Sequence, residues 1–284
     1  MRPRPAGFIA SIILPRSRCR ARASLLAFLA ASVCACSSPT QRANSLADHV
    51  GLRRSIVEAN GFHHVLYENA RPARDGILHA YLDGDGTPYS DVMSPAADPT
   101  PRNPLMLRLM ALDPADSIYV GRPCYFELRR DAACNPTLWT TARYGPQVLG
   151  SMQAVLHEAM VAHHATRVEI FGLSGGGVLA VLLAQRDAGV VRVVTLGANL
   201  DIDAWCDLHH YTRLAGSINP VGQPPLRAGI DVLHLVGEFD TNTPPSLVQA
   251  AARQRGEPVR VVERFDHGCC WETLWPALAN GVPR

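Results

Sequence analysis

Residues 172–176, Gly-Leu-Ser-Gly-Gly, place Ser174 in a G-x-S-x-G pentapeptide. Residues 167–171 before it are rich in β-branched and apolar side chains and predict a buried strand, and the apolar run 177–184 after it predicts a helix. A strand-turn-helix of this kind holds a serine hydroxyl above a sheet, and small neighbours let strand and helix approach closely. The pattern indicates that Ser174 is a nucleophile. The alternative is a glycine-rich turn without chemistry.

A serine hydroxyl attacks a carbonyl only when a base takes its proton. After a pentapeptide in this setting, the expected chain order is serine, acid, histidine. His267 lies in the loop after the last predicted strand, which favours it as the base over His209, His210 and His234. His234 falls within a predicted strand, where we expect it to be packed.

The base needs an acid to orient its ring. Asp240 follows the strand before the His267 loop and is the favoured candidate. Glu238, two residues earlier, and Asp201 or Asp203, after the preceding strand, remain as alternatives. We expect His267 within about 3.5 Å of both the Ser174 hydroxyl and an Asp240 oxygen.

Acyl transfer also needs donors for the oxyanion of a tetrahedral intermediate. The N–H of Gly175, directly after the nucleophile, is one candidate, and the loop after an early strand should supply the other. Asp83-Gly84-Asp85-Gly86 occupies that place, and Asp85 is the donor expected by position. Because a carboxylate near an oxyanion is unfavourable, both aspartate side chains should point away. The alternative is a calcium-binding turn.

Strands and helices alternate along most of the chain, which predicts an α/β fold: a mostly parallel central sheet with helices on both faces. The predicted strands include 62–68, 77–82, 116–120, 190–196, 231–236 and 259–265, and the predicted helices include 105–112, 150–165 and 272–278. Residues 198–228 are polar and rich in turn formers. They form either a small cap over Ser174 or a long loop on the surface.

The N-terminus has the pattern of a secretory signal, with six arginines before a short apolar run at 24–33. Val33-Cys34-Ala35-Cys36 followed by serines resembles a bacterial lipobox. The resemblance implies cleavage before Cys36 and lipidation of its thiol. The predicted organisation is a signal at 1–35, a tether at 36–44 and one catalytic domain at 45–284. An ordinary signal peptide cut nearby is the alternative.

Charge and composition exclude several classes of biochemical function. The chain has 27 basic and 25 acidic residues, and loss of the six arginines in the signal leaves 21 basic residues. Such a mildly acidic chain gives no support for nucleic-acid binding. The chain contains no lysine, which excludes Schiff-base chemistry and a P-loop. No metal site or cofactor is expected, and the sequence gives no basis for inferring a protein partner.

Export permits disulfides. Cys124 and Cys134 flank a short polar segment and are predicted to pair. Cys206 is a weaker candidate for pairing with Cys269 or Cys270. Buried free thiols are the alternative.

From about Ser45 to the C-terminus the chain resembles an α/β-hydrolase. The resemblance is carried by the 83–86 loop, the 172–176 elbow, the Asp240 turn and the His267 loop. Residues 121–124 and 139–144 resemble a bacterial subgroup of such hydrolases that are often lipoproteins. The resemblance implies a serine hydrolase acting on a small-molecule or lipid ester, anchored in a membrane and facing the periplasm. A soluble periplasmic or secreted enzyme, a peptidase, lipase or thioesterase, and an inactive binding protein remain open.

Overall fold

One open sheet of eight strands organises the residues that the computed structural model describes, which are 37–69, 71, 75–275 and 277–281. Its strands lie in the order β1-β2-β4-β3-β5-β6-β7-β8. Their bounds are β1 Arg53–Ala59, β2 Phe62–Glu68, β3 Ile77–Leu82, β4 Ser117–Val120, β5 Arg167–Leu173, β6 Val190–Leu196, β7 Asp231–Gly237 and β8 Val259–Val262. β2 pairs antiparallel with β1 and β4, and every other pair is parallel. The predicted mostly parallel sheet is confirmed.

Six α-helices accompany the sheet in the described part of the chain. They are α1 Pro39–His49, α2 Leu105–Leu112, α3 Pro146–Ala162, α4 Gly175–Ala184, α5 Ile202–Leu208 and α6 Pro245–Arg255. All residues of α4 are buried, and the helix contacts β3, β5 and β6. This burial explains why its sequence is continuously apolar, since a helix without a solvent face needs no polar stripe.

The centre of the sheet is a point where the chain reverses its winding direction. From β3 the chain continues to β4 on one side, and from β5 it continues through β6 and β7 to β8 at the opposite edge. Ligands of open α/β sheets bind where the strand order reverses, beyond the carboxyl ends of the strands. Leu82 of β3 pairs with Gly172 of β5, so the 83–86 loop and the Ser174 elbow leave the sheet side by side.

The predicted tether at 36–44 is wrong for residues 39–44, which belong to α1. Ser38 caps this helix: its hydroxyl accepts from the Gln41 N–H, and the Gln41 side chain accepts from the Ser38 N–H. Thr40, Ala43 and Ala47 are buried on one side of the helix. The folded unit therefore begins before Ser45. Cys36 and the signal segment lie outside the described residues.

Two predicted elements are shorter than expected. β8 ends at Val262, and Arg264 has a φ of 64°, a left-handed conformation that a strand does not contain. In place of the predicted helix 272–278, the described residues form a 3₁₀ turn at Trp271–Leu274. Pro276 lacks an N–H and disfavours helical backbone in the residue before it, which explains the short element.

The cysteines pair differently from part of the prediction. Cys124 and Cys134 are disulfide-bonded with Cα atoms 5.7 Å apart, as expected. Cys206 is a buried free thiol that donates to the Thr212 carbonyl oxygen. Cys269 and Cys270 are bonded to each other. The predicted bond from Cys206 to one of them is therefore wrong.

Within the described residues, no helix combines the length and the hydropathy that crossing a bilayer requires.

Candidate active site

Ser174 sits in a strained turn between β5 and α4. Its φ of 52° and ψ of −121° are rare for a residue with a Cβ. An alanine at Gly172 would press its Cβ to within 2.6 Å of the Gly176 carbonyl carbon, so the turn closes only with glycine there. The Ser174 N–H donates to the Leu196 carbonyl oxygen at 2.8 Å, which ties the turn to β6. Strain of this kind presents the hydroxyl clear of its own backbone.

Asp240 and His267 form a hydrogen-bonded pair beyond the ends of β7 and β8. His267 Nδ1 lies 2.8 Å from Asp240 Oδ2. Asp240 is 2 % exposed, and its other oxygen accepts from the N–H groups of Asn242 and Thr243 at 3.0 and 2.8 Å. The Thr243 hydroxyl donates to Asp240 Oδ2 at 3.0 Å. A carboxylate with this many donors fixes the ring of His267 in one orientation.

The other nitrogen of His267 contacts Asn242 rather than Ser174. Asn242 Nδ2 lies 3.1 Å from His267 Nε2. With the ring proton on Nδ1 facing Asp240, Nε2 carries a lone pair that accepts from the Asn242 amide. The described residues include no hydrogen bond from the Ser174 hydroxyl. Of the two predicted contacts of His267, the one with Asp240 is present, and the described residues include no hydrogen bond between His267 and Ser174.

The 83–86 loop lies against the elbow. A Cβ added to Gly84 would be 3.5 Å from the Ser174 Cβ. Within the part of the chain that the structure describes, the N–H groups of Asp85 and Gly175 donate to no protein acceptor. Free N–H groups beside a nucleophile are what an oxyanion hole requires.

The Asp85 side chain was expected to point away from the oxyanion donors, but it lies against Gly175. Its carboxylate and the Tyr144 hydroxyl occupy the space that a side chain at position 175 would fill. Arg122 and Arg143 each reach the Asp85 carboxylate at 2.8 Å, which neutralises its charge. Position 175 is therefore restricted to glycine by the loop across from it.

Comparison with solved structures gives extensive matches at low sequence identity. An α/β serine hydrolase homologue from Coxiella burnetii superimposes with a TM-score of 0.55 over 81 % of this chain and 97 % of its own, at 12 % identity. A bacterial membrane phospholipase A described as a virulence factor gives 0.53 over 92 % and 97 %, at 14 % identity. An esterase from Pyrococcus furiosus gives 0.52 over 82 % and 88 %, at 10 % identity.

The chain has the α/β-hydrolase fold. No protein-family model and no curated protein sequence matches it.

Within this α/β-hydrolase fold, the alternative acids are engaged elsewhere. Glu238 accepts from the backbone N–H of Arg264 at 2.9 Å. Asp201 caps α5, and Asp203 is paired with Arg213 at 2.8 Å. His234 is fully buried between Thr195 and Glu257, which confirms that it is a packed residue.

Protein donors already bind the carboxylates of the 83–86 loop, which argues against a calcium-binding turn. Asp83 accepts from the N–H groups of Gly84 at 3.0 Å and Met106 at 3.3 Å. Burial raises the pKa of Asp83 to about 7, although these two N–H groups lower it. Both aspartates of this loop are thus bound by donors of the protein itself.

The residues 198–228 border the site. The indole N–H of Trp205 donates to the Asn242 carbonyl oxygen at 3.0 Å, and His209 contacts the same oxygen at 2.7 Å. On the other side, the Ser217 hydroxyl accepts from the Tyr144 N–H at 3.1 Å. The segment therefore contacts and supports both the turn that carries Asp240 and the loop that carries Tyr144. Its role as a cap over Ser174 stays a prediction.

Sequence reasoning gave no role to five residues that border this candidate site: Asn242, Thr243, Arg122, Arg143 and Tyr144. Asn242 and Thr243 act through the turn that follows Asp240, and their contacts depend on the backbone path of that turn. The two arginines carried a usable signal. Both are buried and lie in the segments 121–124 and 139–144, which resemble a bacterial subgroup of such hydrolases.

Proposed function

We propose that this protein is a serine hydrolase that cleaves ester-type bonds through an acyl-enzyme. The observation that supports this most is the pairing of His267 with the buried carboxylate of Asp240, beyond the same sheet edge as the strained Ser174 turn. A histidine so oriented is suited to accept a proton on Nε2. Fold similarity alone would not support an activity.

In the proposed reaction, Ser174 Oγ attacks the carbonyl carbon of the ester while His267 Nε2 takes its proton. The carbonyl electron pair moves to oxygen, and the N–H groups of Gly175 and Asp85 donate to that oxyanion. The intermediate collapses to an acyl-serine and expels the alcohol, which receives the proton from His267. Water then attacks the acyl-serine and gives a proton to His267. When the bond between the acyl carbon and Ser174 Oγ breaks, His267 returns this proton to Oγ, and the carboxylic acid leaves. Asn242 must release Nε2 before the first step.

We also propose that the enzyme is exported and held at a membrane through Cys36. The basic and apolar pattern of the first 35 residues supports this proposal. One structural neighbour is described as a membrane phospholipase A, so a phospholipid belongs among the substrates tested.

The test is hydrolysis of a panel of esters by purified protein from Ser37 onwards, alongside the variant Ser174→Ala. The panel contains short and long acyl esters, a phospholipid, a thioester and a proline amide. We expect ester turnover by the wild type and a loss of several orders of magnitude in kcat for Ser174→Ala, on the scale of nucleophile knockouts in serine hydrolases. Equal turnover by both proteins would contradict the serine mechanism, and preference for the amide or thioester would correct the bond class.

A further inference from the structure

Two buried arginines share one carboxylate beside the candidate oxyanion hole. Arg122 and Arg143 are 5 % and 6 % exposed. Arg122 Nη1 lies 2.8 Å from Asp85 Oδ1, and Arg143 Nη1 lies 2.8 Å from Oδ2. The Tyr144 hydroxyl donates to the same Oδ2 at 2.6 Å. Asp85 Oδ2 is therefore held by two hydrogen bonds, and Oδ1 by an ion pair without hydrogen-bond geometry.

The backbone of Asp85 is held as well. The Tyr125 hydroxyl donates to the Asp85 carbonyl oxygen at 3.0 Å. Arg122 lies over the rings of Tyr125 and Tyr144, with its central guanidinium carbon 5.7 and 5.6 Å from their centroids. We call Arg122, Tyr125, Arg143 and Tyr144 the Asp85 clamp. It restrains the side chain and the carbonyl of Asp85, and no acceptor among the described residues takes the Asp85 N–H.

The charges of this group do not cancel. Burial would raise the pKa of Asp85, but the guanidinium groups of Arg143 and Arg122 outweigh it and hold the pKa below its usual value. Burial would lower the pKa of Arg143, and the Asp85 carboxylate outweighs it, so the pKa is raised. While the neighbouring Asp83, which also interacts with Arg122 and has a pKa raised to about 7, is protonated, two cations therefore face one anion. A buried surplus of positive charge is strongly felt because water is excluded from around it.

We propose that the Asp85 clamp positions the second donor of the oxyanion hole, with Arg143 and Tyr144 as its main positioning residues. This rests on the proposed hydrolase function. The clamp fixes the Asp85 peptide so that its N–H is preorganised, and its surplus positive charge offsets the Asp85 carboxylate that lies against Gly175. Without the arginines, a buried carboxylate at this place would oppose the developing oxyanion. Preorganised donors contribute because they need not reorient when charge appears.

The experiment compares Arg143→Gln, Arg143→Lys and Tyr144→Phe with wild type. The matched control is Arg53→Gln, which removes an arginine paired with Glu68 at the far edge of the sheet. The readouts are kcat and KM for the best ester, the melting temperature, and the Ki of a trifluoromethyl ketone with the same acyl chain. This ketone forms a hemiketal with the serine and so reports on the oxyanion hole.

We expect Arg143→Gln to lower kcat about 10- to 100-fold, less than the effect of deleting a donor itself. KM should change less than about 3-fold, and the Ki of the ketone should rise with the fall in kcat. Arg143→Lys keeps the charge and should retain more kcat than the glutamine variant. Tyr144→Phe, which keeps the ring, should lower kcat by a smaller factor, and Arg53→Gln should match wild type.

Folded variants with unchanged kcat and Ki would overturn the proposal, as would a fall in kcat with no change in the ratio of Ki to KM. If Arg143→Gln does not fold, Tyr144→Phe and Arg143→Lys decide by the same two criteria. A wild-type protein that neither hydrolyses esters nor binds the ketone contradicts the proposed function instead. The two failures are therefore distinct.

Discussion

Asp240 rather than Glu238 faces His267, although the two carboxylates are two residues apart in the same turn. The Glu238 side chain reaches back to the Arg264 N–H on the exposed side, and Asp240 is buried beneath Thr243 and His267. The sequence favoured Asp240 by its position after β7, and the contact with His267 agrees with that choice.

The hydrogen-bond partners of Asp240 were not predictable in the same way. Its oxygens take N–H groups from Asn242 and Thr243, which follow it in the chain, and the contact exists because the turn folds back on the carboxylate. Asx turns of this kind are common wherever aspartate begins a turn. Which residue then reaches the histidine depends on side-chain rotamers that periodicity does not encode.

Replacing Asp240 tests the acid assignment at the scale of one residue. We expect Asp240→Asn to lower kcat by about 10³- to 10⁴-fold, because the neutral amide neither stabilises the protonated ring nor holds its tautomer. Glu238→Gln is the matched control and should stay within about 2-fold of wild type, since its carboxylate contacts only a backbone N–H. Melting temperatures of both variants verify folding. If Glu238→Gln is the inactive one, the acid has been assigned wrongly.

At the scale of elements, the parts that surround Ser174 were the easiest to predict. β5 and α4 are apolar almost throughout because both are buried, and a change from strand to helix across a glycine-rich turn leaves a clear pattern. α1 was missed for the opposite reason. Its buried side chains are Thr40, Ala43 and Ala47, which look polar or neutral. The capping pair Ser38 and Gln41 was the one signal of a helix start, and it was not used in the prediction.

Asp83 connects two elements, and its burial predicts a pH dependence of stability. It accepts N–H groups from the loop at Gly84 and from the first turn of α2 at Met106. Its pKa is raised by burial from 3.8 to about 7. Between these values the folded state binds more protons than the unfolded state, so the free energy of unfolding falls as pH rises. The contribution of Asp83 to the free energy of unfolding is fully present below pH 3.8 and is lost as the pH rises through about 7. It is on the order of 4 kcal/mol at most.

Asp83→Asn removes this titration while keeping an acceptor for the Gly84 N–H. We expect the melting temperature of wild type to fall by several degrees more than that of Asp83→Asn between pH 5.5 and pH 8, given about 2–4 °C per kcal/mol for a domain of this size. Glu158→Gln, an exposed carboxylate on α3, serves as the control and should follow wild type. Parallel curves for wild type and Asp83→Asn would show that Asp83 is ionised throughout this range.

At the scale of the whole molecule, the site lies where the sheet reverses its winding direction. β3 leads into the 83–86 loop, β5 into the Ser174 turn, β7 into the Asp240 turn and β8 into the His267 loop. The sequence placed Ser174, Asp240 and His267 each directly after a predicted strand, and ligands of such sheets bind beyond the carboxyl ends of the strands. The antiparallel β1 was not predicted, because its half-exposed residues give a weak pattern.

The position of α1 sharpens the expectation for a lipid anchor. Only Ser37 and Ser38 separate Cys36 from Pro39, the first residue of the helix, and these three Cα–Cα steps span about 11 Å at most. If Cys36 carries the lipid, the enzyme body is held close to the membrane rather than on a tether.

Cys36→Ser should therefore move the protein from the membrane fraction to the soluble periplasmic fraction. Several acyl chains together hold a protein firmly, and their loss releases it. Activity on a soluble ester should be unchanged, because the described fold begins after this residue. Cys34→Ser, two residues earlier, is the matched control and should remain in the membrane fraction. A wild type that is already soluble, with its mature N-terminus elsewhere, would contradict the lipid anchor.

The central claim is that Ser174 is an activated nucleophile, and the most direct measurement is mass spectrometry of the protein after treatment with a fluorophosphonate. An activated serine displaces fluoride and keeps the phosphonyl group. The account predicts a single adduct, mapped to the peptide that contains Ser174, absent from Ser174→Ala and much slower to form in His267→Ala. A wild type that takes up no adduct, or takes it up on another residue, would contradict the account.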